Sequence, residues 1–388
     1  MNKYILNIEV QNFIKSYNND VTDLAFSGSP FKDVSTKELI QQIESHKKAE
    51  KKLPIWFQSD QIYYPPKLNL EQTSSEITAK YKSAIIKGET IADLTGGFGV
   101  DSYEFSKAFE SVDHFEQNKS LSEIAAHNFS TLKKTNINCF QGDGIQLIKN
   151  SSYDVIYIDP SRRHESKGKV FFLRDCEPNV SKHLDYLLER CNTLMVKTSP
   201  MLDITAGLDE LKQVSEIHIV AVNNEVKELL WIISESESLP TIIKTINIKK
   251  EGTETFNFNL NEKSETKYTL PEAFLYEPNA AILKAGAFQL LSEAYKINKL
   301  HQHSHLFTSK ELIDFPGRTF KIEQVVPYSK KEIRNALTFS KANVSIRNFP
   351  ESVENIRKRW KIKSGGNKYL FFTTNKDNNK VLLVCSKI

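Results

Sequence analysis

The tightest constraint in this chain is an alternation between residues 78 and 234, where short apolar, β-rich runs are separated by stretches with helical periodicity. The runs are TIADL, SVDHFE, NINCFQ, YDVIYID, NTLMVKT, EIHIVAV and ELLWIIS. Strand and helix in repetition predict right-handed βαβ units, and so an α/β fold with a mostly parallel sheet covered by helices. Only NNEVK separates the last two runs. That is too short for a crossover helix, so an antiparallel hairpin is expected there, at the sheet edge.

The first run leads into IADLTGGFGVDSYEF, in which a strand ends at Asp93 and Leu94, glycines follow at 96, 97 and 99, and a helix begins near Asp101. Glycines at such a junction let the backbone approach a ligand closely, and open α/β sheets bind ligands beyond the carboxyl ends of their strands. The segment Asp93–Gly99 is therefore expected to floor a pocket. Its spacing is not that of a dinucleotide loop, and the acidic residue that opens it suits a cationic ligand better than a pyrophosphate.

The second run ends in Glu116, 23 residues after Asp93. A carboxylate at that point can accept both hydroxyl hydrogens of an adenosine ribose, although a solvated strand end would look the same. After the third run, FQGDG places Asp143 where it could accept an adenine amino group or simply make a turn. The fourth run, in DVIYIDPSRR, delivers Asp159, Pro160, Ser161, Arg162 and Arg163 to the same edge of the sheet.

In this order and at these spacings the four elements resemble a class I S-adenosylmethionine-dependent methyltransferase over roughly residues 76 to 234. The resemblance implies a Rossmann-like domain with a mostly parallel seven-stranded sheet and S-adenosyl-L-methionine as cofactor. More narrowly, LEQTSSEITAKYKS, DLTGGFGVDS, DPSRR and LYEPNAAILKAG together resemble bacterial methyltransferases that carry ferredoxin-like and THUMP-like C-terminal regions. That likeness covers most of the chain. It implies cofactor contacts from Asp93, Thr95, Gly96, Gly97, Gly99, Glu116 and Asp143, with Thr95 standing where glycine is commoner. It also implies an RNA partner, because THUMP domains generally hold RNA.

Asp159 and the Pro160 carbonyl look like the part of amino-methyltransferase motifs where two acceptors hold an exocyclic amine, so Asp159, Pro160 and Ser161 are the catalytic candidates. Those motifs continue with a second proline and a base-stacking aromatic, where this chain has Ser161 and Arg162. An arginine plane can stack on a base or hold a phosphate, so Arg162 and Arg163 are substrate-binding candidates, with salt bridges inside the fold as the alternative.

A chain of 388 residues fits two or three domains. The expected division is a helical N-terminal domain (1–75), the methyltransferase domain (76–237), a linker with a ferredoxin-like α+β domain (238–320) and a THUMP-like basic domain (321–388). Helical spacing of Leu39, Ile40 and Ile43 behind a Ser35/Glu38 capping box supports the first. The Pro65-Pro66 pair is expected to end it and open a linker or substrate-facing loop.

Residues 301–388 hold 17 Lys and Arg against 7 Asp and Glu, and the rest of the chain 35 against 41, so a segment of +10 follows a body of −6. Such an asymmetry suits a chain that holds a polyanion with one part and does chemistry with another. Within the basic segment, SIRNFPESVENIRKRWKIKSGG interleaves cations with aromatics. Arg357, Arg359 and Trp360 are accordingly candidates for tracking a phosphate backbone and stacking a base, or for an ordinary amphipathic helix.

Several classes are set aside. No apolar run approaches the roughly 20 residues needed to cross a bilayer. The N-terminus lacks the pattern of an export signal, and four scattered cysteines show no CxxC spacing, so a cytoplasmic location is expected. His301, His303 and His305 lack a Cys or carboxylate to complete a metal site, and no metal is expected. No nucleophile elbow, Walker loop or HExxH helix appears. The expectation is an S-adenosylmethionine-dependent enzyme that N-methylates a base in structured RNA. The alternatives are a small-molecule or protein methyltransferase, or an RNA-binding protein that keeps the fold without the chemistry.

Overall fold

A computed structural model describes residues 1–162, 172–234 and 240–388, with only the backbone of Arg162. The boundary drawn between residues 237 and 238 lies outside the described residues, as does Arg163. The chain divides into two units, Met1–Ser215 with Leu229–Leu239, and Glu216–Glu228 with Pro240–Ile388.

The strands that position the site are β1 (Thr90–Asp93), β2 (Ser111–Glu116), β3 (Ile137–Gln141), β4 (Tyr153–Ile158), β5 (Cys191–Thr198), β6 (Val214–Val222) and β7 (Glu225–Ser234). Within the first unit they run in the order β7-β5-β4-β1-β2-β3, parallel except for β7. In β4, Val155 to Ile158 are all buried, as expected for a parallel strand covered on both faces. After β1 the chain moves outward on one side to β2 and β3, then returns to place β4 on the other side. This makes the gap beyond β1 and β4 the topological switch point, where such sheets bind ligands.

β6 and β7 form the expected hairpin, closed by Asn223 and Asn224, both left-handed (φ 50° and 65°), a conformation asparagine tolerates in a tight turn. It is not a sheet edge. In the second unit β6 pairs in parallel with β8 (Ile242–Lys249), which turns back into β9 (Gly252–Asn259). The run TIIKTINIKK thus continues the pleat that the NNEVK reading had terminated.

The N-terminal helices do not build a core of their own. Helices Ile8–Ser16, Thr36–Lys52 and Pro54–Gln58 share one apolar cluster with Val100 and Tyr103 and with Leu121, Ile124 and Phe129 of the helix Lys119–Thr131. The capping box is present, Ser35 accepting from Glu38 N while the Glu38 side chain accepts from Ser35 N. Fully buried Trp56 lies 4.6 Å, centroid to centroid, from Phe98 of the glycine loop. Burying a large apolar side chain contributes about 1.5–3 kcal/mol, so the N-terminal helices brace that loop from behind. The Pro65-Pro66 pair does not open a linker. Helix Lys67–Gln72 starts at once with Pro66 as its N-cap, since a missing N–H costs nothing at a helix start.

The second unit is built on a mostly antiparallel sheet that includes β10 (Phe274–Pro278), β11 (Gly317–Pro327), β12 (Asn343–Arg347), β13 (Lys368–Thr374) and β14 (Lys380–Lys387). Leu275, Phe320, Phe371 and Leu383 fill one core, and Val326, Ile333, Ile356 and Phe372 another. β13 and β14 form a hairpin closed by NKDNNK, with Asn375 N donating to Asn379 O.

Candidate active site at the switch point of the sheet

Each strand end carries one polar side chain to the switch point, and backbone contacts knit them together. At the end of β1, Asp93 is buried, its Oδ2 accepting from Ser102 Oγ (2.6 Å) and its Oδ1 from Thr95 N (3.2 Å). Burial pushes its pKa up to about 7; Asp101 and Asp159 add to the rise, and the two hydrogen bonds oppose it.

Two of the loop glycines are required by sterics. A Cβ on Gly96 would lie 2.3 Å from Nε2 of the buried His114 ring on β2. Gly99 has φ +92°, and a Cβ there would lie 2.3 Å from Phe129. The loop is therefore pressed onto β2, with Gly96 N donating to Phe115 O (2.8 Å).

Glu116 closes the loop from the end of β2. Its Oε2 accepts from Gly97 N (2.9 Å) and its Oε1 from Asn118 N (2.7 Å). Both oxygens are aimed by backbone N–H groups, and each keeps acceptor capacity, which fits the diol of an adenosine ribose. Asp143 caps the short helix Gly144–Leu147, accepting from Ile145 N (3.0 Å). A Cβ on Gly144 would lie 2.9 Å from Leu94 O, so the third strand end also abuts the glycine loop.

At the end of β4, Asp159 N donates to Thr95 Oγ1 at 2.7 Å. The threonine that departs from the commoner glycine thus latches the catalytic candidate to the glycine loop. The Asp159 carboxylate is about one third exposed and pairs with Lys197 at the end of β5. Pro160 is buried, Ser161 is exposed, and Ser161–Arg162 forms a short antiparallel pairing with Cys176–Glu177. The Arg162 side chain and Arg163 lie outside the described residues.

Beneath these groups lies a buried polar network that the sequence reading missed. Asp101 Oδ2 accepts from Ser74 Oγ (2.7 Å) and Tyr157 OH (3.0 Å), and fully buried Lys82 places Nζ 3.2 Å from Asp101 Oδ1 and 3.1 Å from Ser74 Oγ. Lys197 also reaches Ser74 Oγ, at 3.4 Å. Burial would raise the Asp101 pKa, but the Lys82 and Lys197 ammonium groups hold it below the usual range. One signal was available: Lys82 shares the buried side of helix Glu76–Ile85 with Ala79, three residues before it.

The C-terminal candidates lie in the second unit on helix Val353–Trp360. Arg359 is exposed and pairs with Glu351 Oε1 (2.8 Å) and Tyr328 OH (3.2 Å). Trp360 packs half-buried against the Ile333–Ile356 cluster, and Arg357 is half-buried. The two ring nitrogens of His301 bond Asn378 and Asn348, each at 3.0 Å. Among the described residues no group of three or more His, Cys, Asp or Glu is placed to hold a metal, and no helix is long and apolar enough to cross a membrane.

A doubly wound sheet with a glycine junction after β1, an acidic β2 end and an Asp-Pro β4 end defines the class I methyltransferase architecture. A Porphyromonas gingivalis W83 crystal structure, provisionally described as a methyltransferase, matches with a TM-score of 0.90 at 35% identity, covering 99% of this chain and 98% of that one. Family models for a ferredoxin-like domain and a THUMP-like domain match residues 274–316 and 317–387. The chain belongs to this bacterial family of class I methyltransferases with ferredoxin-like and THUMP-like C-terminal domains.

Two distant structures, both provisionally described as methyltransferases, match part of the chain. These are yhhF of Escherichia coli (15% identity, 42% of this chain and 85% of that chain, TM-score 0.31) and SMU.1697c of Streptococcus mutans in complex with SAH (14%, 40% and 94%, TM-score 0.29). Both are too remote for the SAH of the second to bear on this chain. No curated protein matches the sequence.

Proposed function

We propose that this protein transfers a methyl group from S-adenosyl-L-methionine to an exocyclic amine of a base in structured RNA. The observation that carries the reading is the convergence of Asp93, Glu116, Asp143 and Asp159 on one glycine loop, tied by the bonds Gly97 N to Glu116 and Asp159 N to Thr95. The donor would supply an activated methyl on a sulfonium, and no covalent intermediate with the protein is needed. Orientation is then the enzyme's main contribution, worth up to roughly 7 to 11 kcal/mol.

In this reading Glu116 holds the ribose, Gly96 and Gly97 line the approach, and Asp143 borders the adenine. Asp159 and the Pro160 carbonyl accept the two N–H groups of the target amine and turn its lone pair toward the methyl group. Asp93 braces the loop from beneath, Ser161 faces the substrate, and Arg162 and Arg163 are proposed substrate contacts on their sequence position alone. The basic +10 segment favours a polyanionic substrate, and Arg357, Arg359 and Trp360 are proposed contacts for it. The division at residues 75, 237 and 320 and a cytoplasmic location belong to the same proposal.

One observation favours the rival in which a small molecule or a protein is methylated. Arg359 is engaged by Glu351 and Trp360 by the domain core, so part of the basic helix already has structural employment. Transfer of labelled methyl from S-adenosylmethionine into total RNA from a strain lacking the protein separates the two. Label that appears with wild type and not with Asp159→Ala supports RNA, and digestion names the base. No label in RNA despite bound cofactor moves the rival ahead.

A further inference from the structure

The second unit holds a cleft of about 1100 Å³, lined by residues of the segment 263–267 and by helix Phe288–Ala294 with the turn that follows it. Leu290 and Leu291 of that helix are buried, while Gln289, Ser292 and Glu293, at the three- and four-residue spacing of one helix side, border the cleft. Lys296 follows in a left-handed conformation (φ 52°), its N–H donating to Glu293 O (3.2 Å). The segment 263–267 is stitched in place. Ser264 Oγ donates to Gln289 O (3.3 Å), Lys299 N to Lys267 O (2.9 Å) and Thr269 N to Lys299 O (3.1 Å). The walls are thus fixed by the chain's own hydrogen bonds.

Both signs of charge line this cleft, and they are left unpaired. Lys263, Lys267 and Lys296 are exposed, as are Glu265 and Glu293, and among the described residues none of the five forms an ion pair. The side-chain amides of Gln289 and Asn298 likewise have no partner there. Ile297 is the one apolar side chain among the lining residues. Sites for small molecules are mostly apolar and run to about 1000 Å³, so a cleft of this size and polarity suits a ligand that is polar along its length.

We propose that this cleft takes a single-stranded segment of RNA, with the three lysines on its phosphates and the carboxylates and amides on its ribose hydroxyls and base edges. The inference rests on the RNA reading of function and extends it. These lysines lie outside the basic segment 301–388, and the net negative charge of residues 1–300 conceals them. Unpaired ammonium groups along a groove track a phosphate backbone. Glu265 and Glu293 accept from 2′-hydroxyls and base amino groups, and the 2′-hydroxyl is what separates RNA from DNA. An acidic peptide would satisfy the lysines but bring its own carboxylates against Glu265 and Glu293, without the hydroxyl donors.

The test is fluorescence anisotropy of the full chain with a labelled single-stranded RNA of about 12 nucleotides and with DNA of the same sequence, across a salt series. Lys263→Gln, Lys267→Gln and Lys296→Gln together should lower the slope of log affinity against log salt by about 2, at roughly 0.7 per phosphate contact, and weaken binding about tenfold or more at low salt. Wild type should favour RNA over DNA, and Glu265→Gln with Glu293→Gln should narrow that preference. An unchanged urea midpoint shows that the variants are folded. If the triple variant does not fold, the three single variants decide, each expected to take about 0.7 from the slope. A wild-type slope and affinity in the lysine variants, or an RNA preference untouched in the glutamate variant, would overturn the proposal. So would poly-glutamate that binds as tightly as RNA and depends on the same lysines, which would assign the cleft to an acidic peptide. If wild type binds no RNA strand, the cleft proposal fails, and methyl transfer into total RNA decides separately whether the reading of function stands.

Discussion

Two neighbouring parallel strands end in an aspartate, and the two residues do different work because one is buried and the other is paired. Asp93, at the end of β1, is almost fully enclosed, bonded to Ser102 and to its own loop, and its pKa is pushed up to about 7. Asp159, at the end of β4, stands about one third exposed with Lys197 against it. Burial suits Asp93 to bracing its own loop, whereas exposure leaves Asp159 able to meet a substrate. The same side chain at equivalent places in two strands acquires its role from the elements packed around it.

Breaking the exposed member should have the largest effect. Asp159→Ala is expected to lower methyl transfer by about a hundredfold or more, since loss of a positioning contact at the reacting atom costs on that scale. S-adenosylmethionine affinity should stay within a few-fold, and a parallel loss of binding would show that Asp159 holds the cofactor loop and not the substrate.

Next comes the support beneath both strands. Lys82→Met leaves Asp101 buried with one cation fewer, and removing one partner of a buried pair costs about 3–5 kcal/mol. Urea unfolding should show that loss; a change below about 1 kcal/mol would mean that Lys197 alone satisfies Asp101.

The buried member is sharpened by pH. Its folded pKa, about 7, lies above the unfolded value of 3.8, so the native state binds the proton more tightly and ionisation is costly. The Asp93 contribution is fully present below about pH 4 and is lost as pH rises to 7, an effect of about 2–4 kcal/mol. Asp93→Asn should flatten the stability curve across that window, measured by urea unfolding at each pH. An unchanged curve would show that Asp93 titrates normally.

The smallest effect concerns the other unit. Arg359→Gln breaks an exposed ion pair and should change stability by less than about 1 kcal/mol. A fall in RNA affinity with reduced salt dependence would mark Arg359 as a phosphate contact, and no change would leave it to Glu351.

Much of this site was legible in the sequence because its parts are local. Glycines at 96, 97 and 99 after a strand announce the loop, and Glu116 and Asp159 are set by where runs of apolar residues stop. The Ser35 capping box and the NNEVK hairpin are equally local, each decided within a few residues. What stayed hidden depends on assembly. Lys82 and Lys197 look like solvated lysines until helix Glu76–Ile85 and β5 bring them to Asp101 and Asp159. The Thr95 latch needs the β4 end beside it, and the steric reason for glycine at 96 is the His114 ring, which only the fold brings against it. The pairing of TIIKTINIKK with β6 is hidden because that run falls beyond the boundary expected at residues 237 and 238, in the stretch expected to open with a linker.

The most direct test of the account is titration of S-adenosylmethionine against wild type and Glu116→Ala. The account predicts saturable one-to-one binding by wild type and at least about tenfold weaker binding by the variant, because two charge-assisted hydrogen bonds to the ribose are lost. Equal affinity of the two proteins, or no binding by either, would contradict a cofactor site built on the strand ends of this sheet.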